Sequence, residues 1–288
     1  MSMNFYFLPS RRCLVLWSQK CACTALSRWI KHCFDEAEDC PKGTSARTYI
    51  ADKGFNFSDL QNLKAFLSGD KPTAKTMIVS YRDPASRITS SFVNKFHVYE
   101  NRTIFDGGKK MQGFSRQFAK DLKQELQSAK HLKQKMGDFS LRDMIVYLHQ
   151  KRSELHTIND HFTPQIDQQD HLDIIKEACQ DKATSIFPLR VEKLSQDLKK
   201  INRHIHQKFV PRHLNNTELP GPEWSLSESA DLVASPISSL FENKIIPKAG
   251  ALRNYLEQDA DFKKQYMDLF QHDYSLLNLM ESLRPEST

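Results

Sequence analysis

The fold is decided by residues 76–96, TMIVSYRDPASRITSSFVNKF, in which a short apolar run leads directly into an amphipathic helix. The run 76–80 predicts a strand buried on both faces, because its central residues are all apolar. Asp83 is placed to cap the following helix, and Pro84 fits its first position, where a missing N–H costs little. The segment therefore predicts a strand, a short loop and a helix.

Two other segments repeat this pattern. Residues 13–17, CLVLW, form a second apolar run, and apolar residues at helical spacing begin near Thr24. A third strand is expected at 184–189, followed by a helix from about Lys193. Alternating strands and helices are typical of an α/β fold, a parallel sheet flanked by helices, with ligands at the carboxyl ends of the strands. We expect a single domain over residues 1–288.

The remaining segments add large helical insertions to this fold. Residues 113–150 are rich in Lys, Gln and Leu and predict a mostly helical insertion between the second and third strands. Residues 215–247 hold most of the turn-forming residues and are expected to be irregular. Residues 262–280 return to a helical pattern.

Composition limits the class of function. A chain of 288 residues with 39% hydrophobic content can bury a sizeable core. Its 41 basic and 35 acidic residues give a dispersed net charge of +6, which suits a protein that binds small anions. It lacks the basic stripe with interleaved aromatics that is typical of nucleic-acid binding, so no nucleic acid is expected.

The N-terminal segment and the cysteines favour a cytoplasmic protein. The apolar run 13–17 is shorter than the about seven to fifteen residues of a secretory signal and the about twenty of a membrane span. We expect neither a signal nor a transmembrane segment. The six cysteines show no regular framework, which indicates reduced thiols. Cys21 and Cys23 lack the paired spacing of a zinc site, so no metal is expected.

The helix after the second strand has two different faces when residues are placed about 100° apart. The apolar arc comprises Ala85, Ile88, Phe92 and Phe96. The polar arc comprises Arg87, Ser90, Ser91 and Asn94. With Arg82 just ahead of it, this arc offers hydroxyls, an arginine and a helix N-terminus, a combination that binds anions. The alternative is that Arg82 pairs with Asp83 or another carboxylate.

The loop after the first strand offers a second anion site. Residues 17–26, WSQKCACTAL, place Lys20 at the end of a buried strand, followed by small residues and by Thr24 at a helix start. A cation and backbone amides then converge on one phosphate-like group. The Walker A pattern G-x-x-x-x-G-K-[ST] is absent, which disfavours an ATP or GTP hydrolase.

Together the two segments resemble the PAPS-dependent carbohydrate sulfotransferases, in particular the group with the HNK-1, chondroitin and dermatan sulfotransferases. The family's phosphosulfate loop, P-K-x-G-[CS]-[ST], is similar to residues 19–24, QKCACT, and its 3′-phosphate segment, R-D-P-x-x-R-x-x-S-x-x-x-N-K-F, matches residues 82–96. Weaker similarities are residues 161–165, HFTPQ, to H-[WF]-x-P-Q, residues 187–194 to a strand ending in glutamate, and residues 266–277 to a closing helix. The chain looks like a bacterial-type soluble member.

The resemblance implies a P-loop-like sulfotransferase fold and transfer of a sulfuryl group from PAPS, 3′-phosphoadenosine 5′-phosphosulfate, to a carbohydrate or glycoconjugate hydroxyl. It implies that Lys20 and Thr24 hold the phosphosulfate and that Arg82 and Ser90 bind the 3′-phosphate. The full set of implied cofactor-binding residues is Lys20, Cys21, Ala22, Cys23, Thr24, Ala25, Arg82 and Ser90. Ala22 replaces the family's usual glycine, which would alter cofactor binding if this position needs a left-handed backbone.

Catalysis by in-line displacement needs a base for the acceptor hydroxyl and positive charge on the departing oxygen. Lys20 is the candidate for the charge and His161 for the base. His161 could instead orient its loop or bind the acceptor, and His97, His156 and Glu192 stay open as bases. Two other functions also stay open: a non-catalytic nucleotide- or glycan-binding module of the same fold, and a nucleotide-dependent kinase. Neither the acceptor nor the oligomeric state follows from the sequence.

Overall fold

The computed structural model describes residues 3–8, 11–33, 48, 56–57, 75–99, 102–103, 111–128, 138–166, 169–211 and 219–284. The chain divides into two compact units. Unit 1 comprises Met1–Arg82, Gln165–Asn215 and His272–Thr288, and unit 2 comprises Asp83–Pro164 and Asn216–Gln271. The single domain stays a prediction.

The elements are numbered in chain order. The strands are β1 (Met3–Leu8), β2 (Cys13–Ser18), β3 (Asn56–Phe57), β4 (Thr76–Tyr81), β5 (Val98–Tyr99), β6 (Arg102–Thr103), β7 (Ser185–Arg190), β8 (Ser225–Ser227) and β9 (Ile245–Pro247). The α-helices are α1 (Cys23–Cys33), α2 (Pro84–Phe92), α3 (Gly113–Ser128), α4 (Leu141–Gln150), α5 (Gln169–Gln180), α6 (Leu194–His204), α7 (Ile237–Glu242), α8 (Ala249–Leu256) and α9 (Ala260–Ser282). A π-helical turn (Val93–His97) follows α2, and 3₁₀ turns lie at Arg152–Thr157, Val191–Lys193 and Ala230–Val233.

Unit 1 contains a five-stranded sheet in the order β3-β1-β2-β4-β7. The strands β2, β4 and β7 are parallel, with Leu14 opposite Met77 and Met77 opposite Ile186. This confirms the predicted strands and their parallel arrangement. The antiparallel strands β1 and β3 were not predicted. Only residues 9–12 separate β1 from β2, and so short a connection cannot make the crossover that a parallel pair needs.

Both faces of this sheet are buried. Alternate residues of β2 and β4, including Val15 and Ile78, pack with α1 and α6 on one face. Leu14, Leu16 and Val79 pack on the other face with α5 and the last turns of α9. Because each strand contributes to two cores, the runs read as continuously apolar in sequence. The architecture is therefore α/β.

Unit 2 has a core of aromatic side chains. Phe118 and Phe162 have ring centroids 4.4 Å apart, and Phe96 and Phe139 lie edge to face at 4.9 Å. Phe92 joins both Phe96 and Phe139. Edge-to-face and offset rings each add to the stabilisation that their burial provides. The predicted helices at 113–150 and 262–280 are confirmed as α3, α4 and α9.

The expectation for residues 215–247 is wrong in its described part, which begins at residue 219. There, β8 and β9 form a parallel pair, and a 3₁₀ turn and α7 lie between them. These elements are only a few residues long, so they carry too few turns to show a periodic pattern in sequence.

None of the helices within the described ranges combines the length and the apolar composition that crossing a bilayer requires.

Candidate functional site

The candidate site residues of unit 1 follow the carboxyl ends of its parallel strands. Lys20 lies two residues beyond the end of β2, Arg82 directly follows β4, and Glu192 lies two residues beyond β7. The three strands are adjacent in the sheet. The carboxyl edge of a parallel sheet is where α/β proteins place ligands, as expected for this chain.

The loop between β2 and α1 has a tightly curled backbone. Lys20 and Ala22 both adopt left-handed conformations, with φ of 64° and 57°. The carbonyl of Ala22 accepts the first helical hydrogen bond, from the amide of Leu26 at 2.9 Å. The first amides of α1 then have no intrahelical acceptor and mark the positive end of its dipole. Left-handed residues next to a helix start make an anion-binding concavity.

The left-handed Ala22 predicts a stabilising substitution, Ala22→Gly. An L-residue in this conformation costs about 1–2 kcal/mol of stability, which glycine would recover. Losing the buried methyl group of Ala22 costs about 0.8 kcal/mol and offsets part of that recovery. We expect the free energy of unfolding to rise by about 0.5 kcal/mol in urea denaturation. Ala25→Gly is the matched control, because Ala22 and Ala25 are 3% and 5% exposed but Ala25 is helical.

Ala25→Gly should lower the free energy of unfolding by about 1–2 kcal/mol, since it removes a methyl group and adds a flexible residue to a helix. Equal losses in both variants would show that the conformation of Ala22 is not strained.

Buried hydrogen bonds hold the loop against β4. The hydroxyl of Ser18 donates to the sulfur of Cys21 at 3.3 Å, and the Cys21 thiol donates to Oε1 of Gln165 at 3.1 Å. Gln165 Nε2 donates to the carbonyl of Ser80 at 2.6 Å, and the Ser80 hydroxyl donates to the carbonyl of Cys21 at 3.2 Å. Since these groups are almost fully buried, the network fixes the loop without help from solvent.

Asp273 on α9 binds the backbone next to the same network. Its carboxylate accepts from the backbone amides of Gln165 and Ile166, at 2.9 and 2.7 Å. Asp273 is 3% exposed, so these are charge-assisted bonds in a dry environment. Gln165 therefore connects three segments that carry the resemblance: the first loop, the end of residues 161–165 and the C-terminal helix.

Arg82 contacts the first loop directly. Its Nη1 donates to the carbonyl of Lys20 at 3.1 Å, and its Nε lies 3.6 Å from Oε1 of Glu192. Arg82 thus brings positive charge to the Lys20 loop, and the expected alternative of a carboxylate partner is also met, by Glu192 rather than Asp83.

In unit 2, α2 begins as predicted. The side chain of Asp83 accepts from the amide of Ser86 at 2.8 Å, and Pro84 is the first helical residue. Arg253 Nη2 lies 2.6 Å from the Asp83 carboxylate. The apolar arc is fully buried, as its spacing predicts: Ala85, Ile88, Phe92 and Phe96.

The interpretation of the polar arc as an anion-binding face is wrong for two of its residues. Arg87 and Ser91 are fully buried and bind the backbone of the segment that carries His161. Arg87 donates to the carbonyls of Asp160, at 3.1 Å, and Thr163. Helical periodicity gives polarity but not the partner, and here the partners are peptide carbonyls. Ser90 is half-buried.

His161 is held on several sides. Its Nδ1 lies 2.6 Å from Oδ1 of Asn159 and 3.4 Å from Oδ1 of Asp160. Its ring stacks on Phe114, with centroids 4.8 Å apart. Ser91 Oγ donates to its carbonyl at 2.5 Å. Sequence reasoning missed Asn159, although an asparagine side chain often bonds the backbone two residues further on, as it does here in an Asx turn.

The other candidate bases lie in different surroundings. His97 is fully buried, its Nε2 donates to the carbonyl of Ile245 at 2.9 Å, and burial lowers its pKa. His156 is exposed in a 3₁₀ turn. Glu192 is engaged with two arginines, Arg82 and Arg190. These contacts favour structural roles for His97 and Glu192.

The predicted site residues are distributed over both units. Unit 1 holds Lys20, Cys21, Ala22, Cys23, Thr24, Ala25 and Arg82. Unit 2 holds Ser90 and His161. Within the described part of the chain, no group of three or more His, Cys, Asp or Glu side chains is arranged to hold a metal ion. The five cysteines described there are thiols, and Cys40 lies outside the described residues.

Comparisons with models of protein families, with curated proteins and with solved structures found no match.

Proposed function

We propose that this chain is a PAPS-dependent sulfotransferase of P-loop-like sulfotransferase fold, acting on a hydroxyl of a carbohydrate or glycoconjugate. The observation that carries the proposal is the loop after β2. There, left-handed backbone at Lys20 and Ala22, the N-terminus of α1 and the guanidinium of Arg82 lie together at one edge of a parallel sheet. Such a site suits a group with several anionic oxygens.

The proposal assigns each residue the role that the resemblance implies. PAPS supplies an activated sulfuryl group, whose transfer to the acceptor oxygen releases PAP. Lys20 stabilises negative charge on the oxygen that departs from sulfur, and Cys21 to Ala25 donate backbone N–H groups. Arg82 and Ser90 bind the 3′-phosphate. His161 removes the proton of the acceptor hydroxyl, as general base.

A non-catalytic binding module is the second candidate. The observation that favours it is Ala22, which holds in a left-handed conformation a position where glycine is the usual residue of the family that the chain resembles. Its methyl group would restrict how closely a phosphosulfate approaches the backbone. The two candidates agree on the ligand and differ in turnover.

A titration and a turnover assay test the proposal. PAP should bind in calorimetry at least tenfold more tightly than AMP, which differs from PAP only in lacking the 3′-phosphate that Arg82 and Ser90 bind. Incubation with PAPS and a panel of glycans should then release PAP. Tight PAP binding without turnover on any acceptor would favour the module. No affinity for PAP together with ATP-dependent phosphorylation would replace the proposal by a kinase.

The variant His161→Ala separates chemistry from binding. Removing a general base lowers turnover by about a hundredfold, whereas the dissociation constant for PAP should stay unchanged. His156→Ala is the control, because this exposed histidine lies five residues earlier in the sequence and should have no effect on either quantity. Equal turnover in wild type and His161→Ala would assign the base elsewhere.

A further inference from the structure

Asn159 makes two hydrogen bonds with one oxygen atom. Its Oδ1 lies 3.1 Å from the backbone nitrogen of His161 and 2.6 Å from Nδ1 of the same residue. A backbone N–H can only donate, so the atom that it faces must be an acceptor. This hydrogen bond identifies the oxygen end of the Asn159 amide, because the oxygen and nitrogen of an amide are assigned from their hydrogen-bond partners.

The tautomer of His161 follows from this assignment. Because the amide oxygen can only accept, Nδ1 of His161 must carry the proton that it donates. In a neutral imidazole the other nitrogen, Nε2, then holds the lone pair. A general base needs such a lone pair directed at the acceptor hydroxyl.

We propose that Asn159 is a positioning residue that keeps the proton of His161 on Nδ1 and so makes Nε2 the proton acceptor. The inference rests on the proposed function for its catalytic meaning, although the tautomer itself does not. Asn159 orients the base, as the third group does in a nucleophile–base–orienter arrangement.

The segment that carries Asn159 is itself fixed. Arg87 donates to the carbonyl of Asp160, and Ser91 donates to the carbonyl of His161. Both donors lie on α2 and are fully buried, so these bonds do not compete with bulk water. The ring of Phe114 lies against the imidazole with an interplanar angle of 21°. The backbone and the ring plane of His161 are therefore both determined.

The charges near the imidazole act in opposite directions. The carboxylate of Asp160 is 3.4 Å from Nδ1 and stabilises the ring when Nε2 takes up a proton. Lys95 Nζ lies 5.1 Å from the centroid of the Phe114 ring, and Arg87 adds a second positive charge at the Asp160 carbonyl. Asn159 differs from these three because it is uncharged, and at 2.6 Å it is the nearer of the two acceptors that favour a proton on Nδ1.

Nitrogen NMR of the protein without PAPS or acceptor tests the tautomer directly. Long-range ¹H–¹⁵N spectra distinguish a protonated ring nitrogen from one with a free lone pair, and His161→Gln assigns the signal. The exposed His156 is the internal reference. In the wild type at neutral pH, we expect Nδ1 of His161 to be protonated and Nε2 to be unprotonated.

Two substitutions of Asn159 complete the test. Asn159→Leu removes the nearer acceptor, at 2.6 Å, and leaves only the Asp160 carboxylate at 3.4 Å from Nδ1, so part of the population should move its proton to Nε2 and turnover should fall about tenfold without a change in the KM for PAPS. Asn159→Asp keeps the acceptor, so Nδ1 should stay protonated and turnover should recover. The added carboxylate favours the protonated ring, so the acid limb of its rate–pH profile should move to higher pH.

A protonated Nε2 in the wild type, or the same tautomer in Asn159→Leu and wild type, would overturn the inference. Circular dichroism shows whether Asn159→Leu folds; if it does not, the wild type and Asn159→Asp still decide between the two tautomers. The NMR result is independent of the proposed function. If that function fails, PAP does not bind, and the Nδ1–H tautomer is still observed.

Discussion

Arg82→Ala is expected to weaken PAP binding about a thousandfold. A hydrogen bond to a charged group contributes about 1.5–3 kcal/mol, so two such bonds to a phosphate contribute about 4 kcal/mol, and 1.4 kcal/mol is tenfold in affinity. Arg82 also donates to the carbonyl of Lys20 at 3.1 Å, so its loss removes a contact that holds the Lys20 loop. Calorimetry with PAP measures the effect.

The fold should survive this substitution. Glu192, the carboxylate near Arg82, also lies 3.2 Å from Nε of Arg190, so it keeps a positive neighbour. Arg190→Ala is the matched control, since it removes a second arginine from the same carboxylate without changing the Lys20 loop. We expect its PAP affinity to be within about threefold of wild type. Arg82→Lys keeps the charge but loses the planar fork, and it should give an intermediate affinity.

The hydroxyl of Ser90 should act in the same direction, because the resemblance implies that it binds the same 3′-phosphate as Arg82. Ser90→Ala should weaken PAP binding and leave AMP binding unchanged. Ser91→Ala is a contrasting variant, because the Ser91 hydroxyl donates to the carbonyl of His161. Its turnover should fall by a larger factor than its PAP affinity. Unchanged PAP affinity in Arg82→Ala would remove the basis of the cofactor assignment.

The sequence predicted the parallel strands because their signal is local. Residues 13–17 and 76–80 are apolar runs, and each is followed by a helix start that its capping residues or spacing mark. The same locality explains why Asp83 and Pro84 were assigned correctly. The strand β1 was missed because an apolar run of this kind next to another can belong to a strand or to a buried helix.

The contacts of the candidate site could not be predicted in this way. Asp273 binds the amide of Gln165 across 108 residues, and the Cys21 thiol reaches the same glutamine across 144. No periodicity relates such positions. Arg87 illustrates a second limit: its spacing showed a polar face correctly, but the face is buried against peptide carbonyls. Polarity indicates a need for partners, and only the tertiary structure supplies them.

Asp197→Ala is expected to lower the free energy of unfolding by about 3–5 kcal/mol, the typical cost of removing one partner of a buried ion pair. Its two carboxylate oxygens each lie 2.8 Å from a nitrogen of Arg284, and one of them accepts from the amide of Arg190 at 2.9 Å. The side chains of Asp197 and Arg284 are 4% and 14% exposed. The hydrogen bond to Asp197 raises the pKa of Arg284. Because an arginine is protonated at neutral pH even without such a bond, Asp197→Ala leaves a charged guanidinium without this partner.

Asp173→Ala is the control for this prediction. Its carboxylate lies 3.9 Å from Lys176, and both side chains are about half exposed, so the loss should be below about 1 kcal/mol. Urea denaturation measures both variants. A loss for Asp197→Ala no larger than for Asp173→Ala would show that the pair at Arg284 is solvated.

The double variant Asp197→Leu, Arg284→Met distinguishes the cost of an unpaired charge from the value of the pair. Replacing both members by apolar residues leaves no buried charge, and such replacements are often neutral or stabilising. We therefore expect most of the stability lost in Asp197→Ala to return, apart from about 1 kcal/mol for the amide of Arg190 that loses its acceptor. Since native domains are stable by only about 5–15 kcal/mol, the single variant should unfold at a clearly lower urea concentration than the double one. A double variant as unstable as Asp197→Ala would mean that losing the pair itself, and not leaving the charge of Arg284 without Asp197, destabilises unit 1.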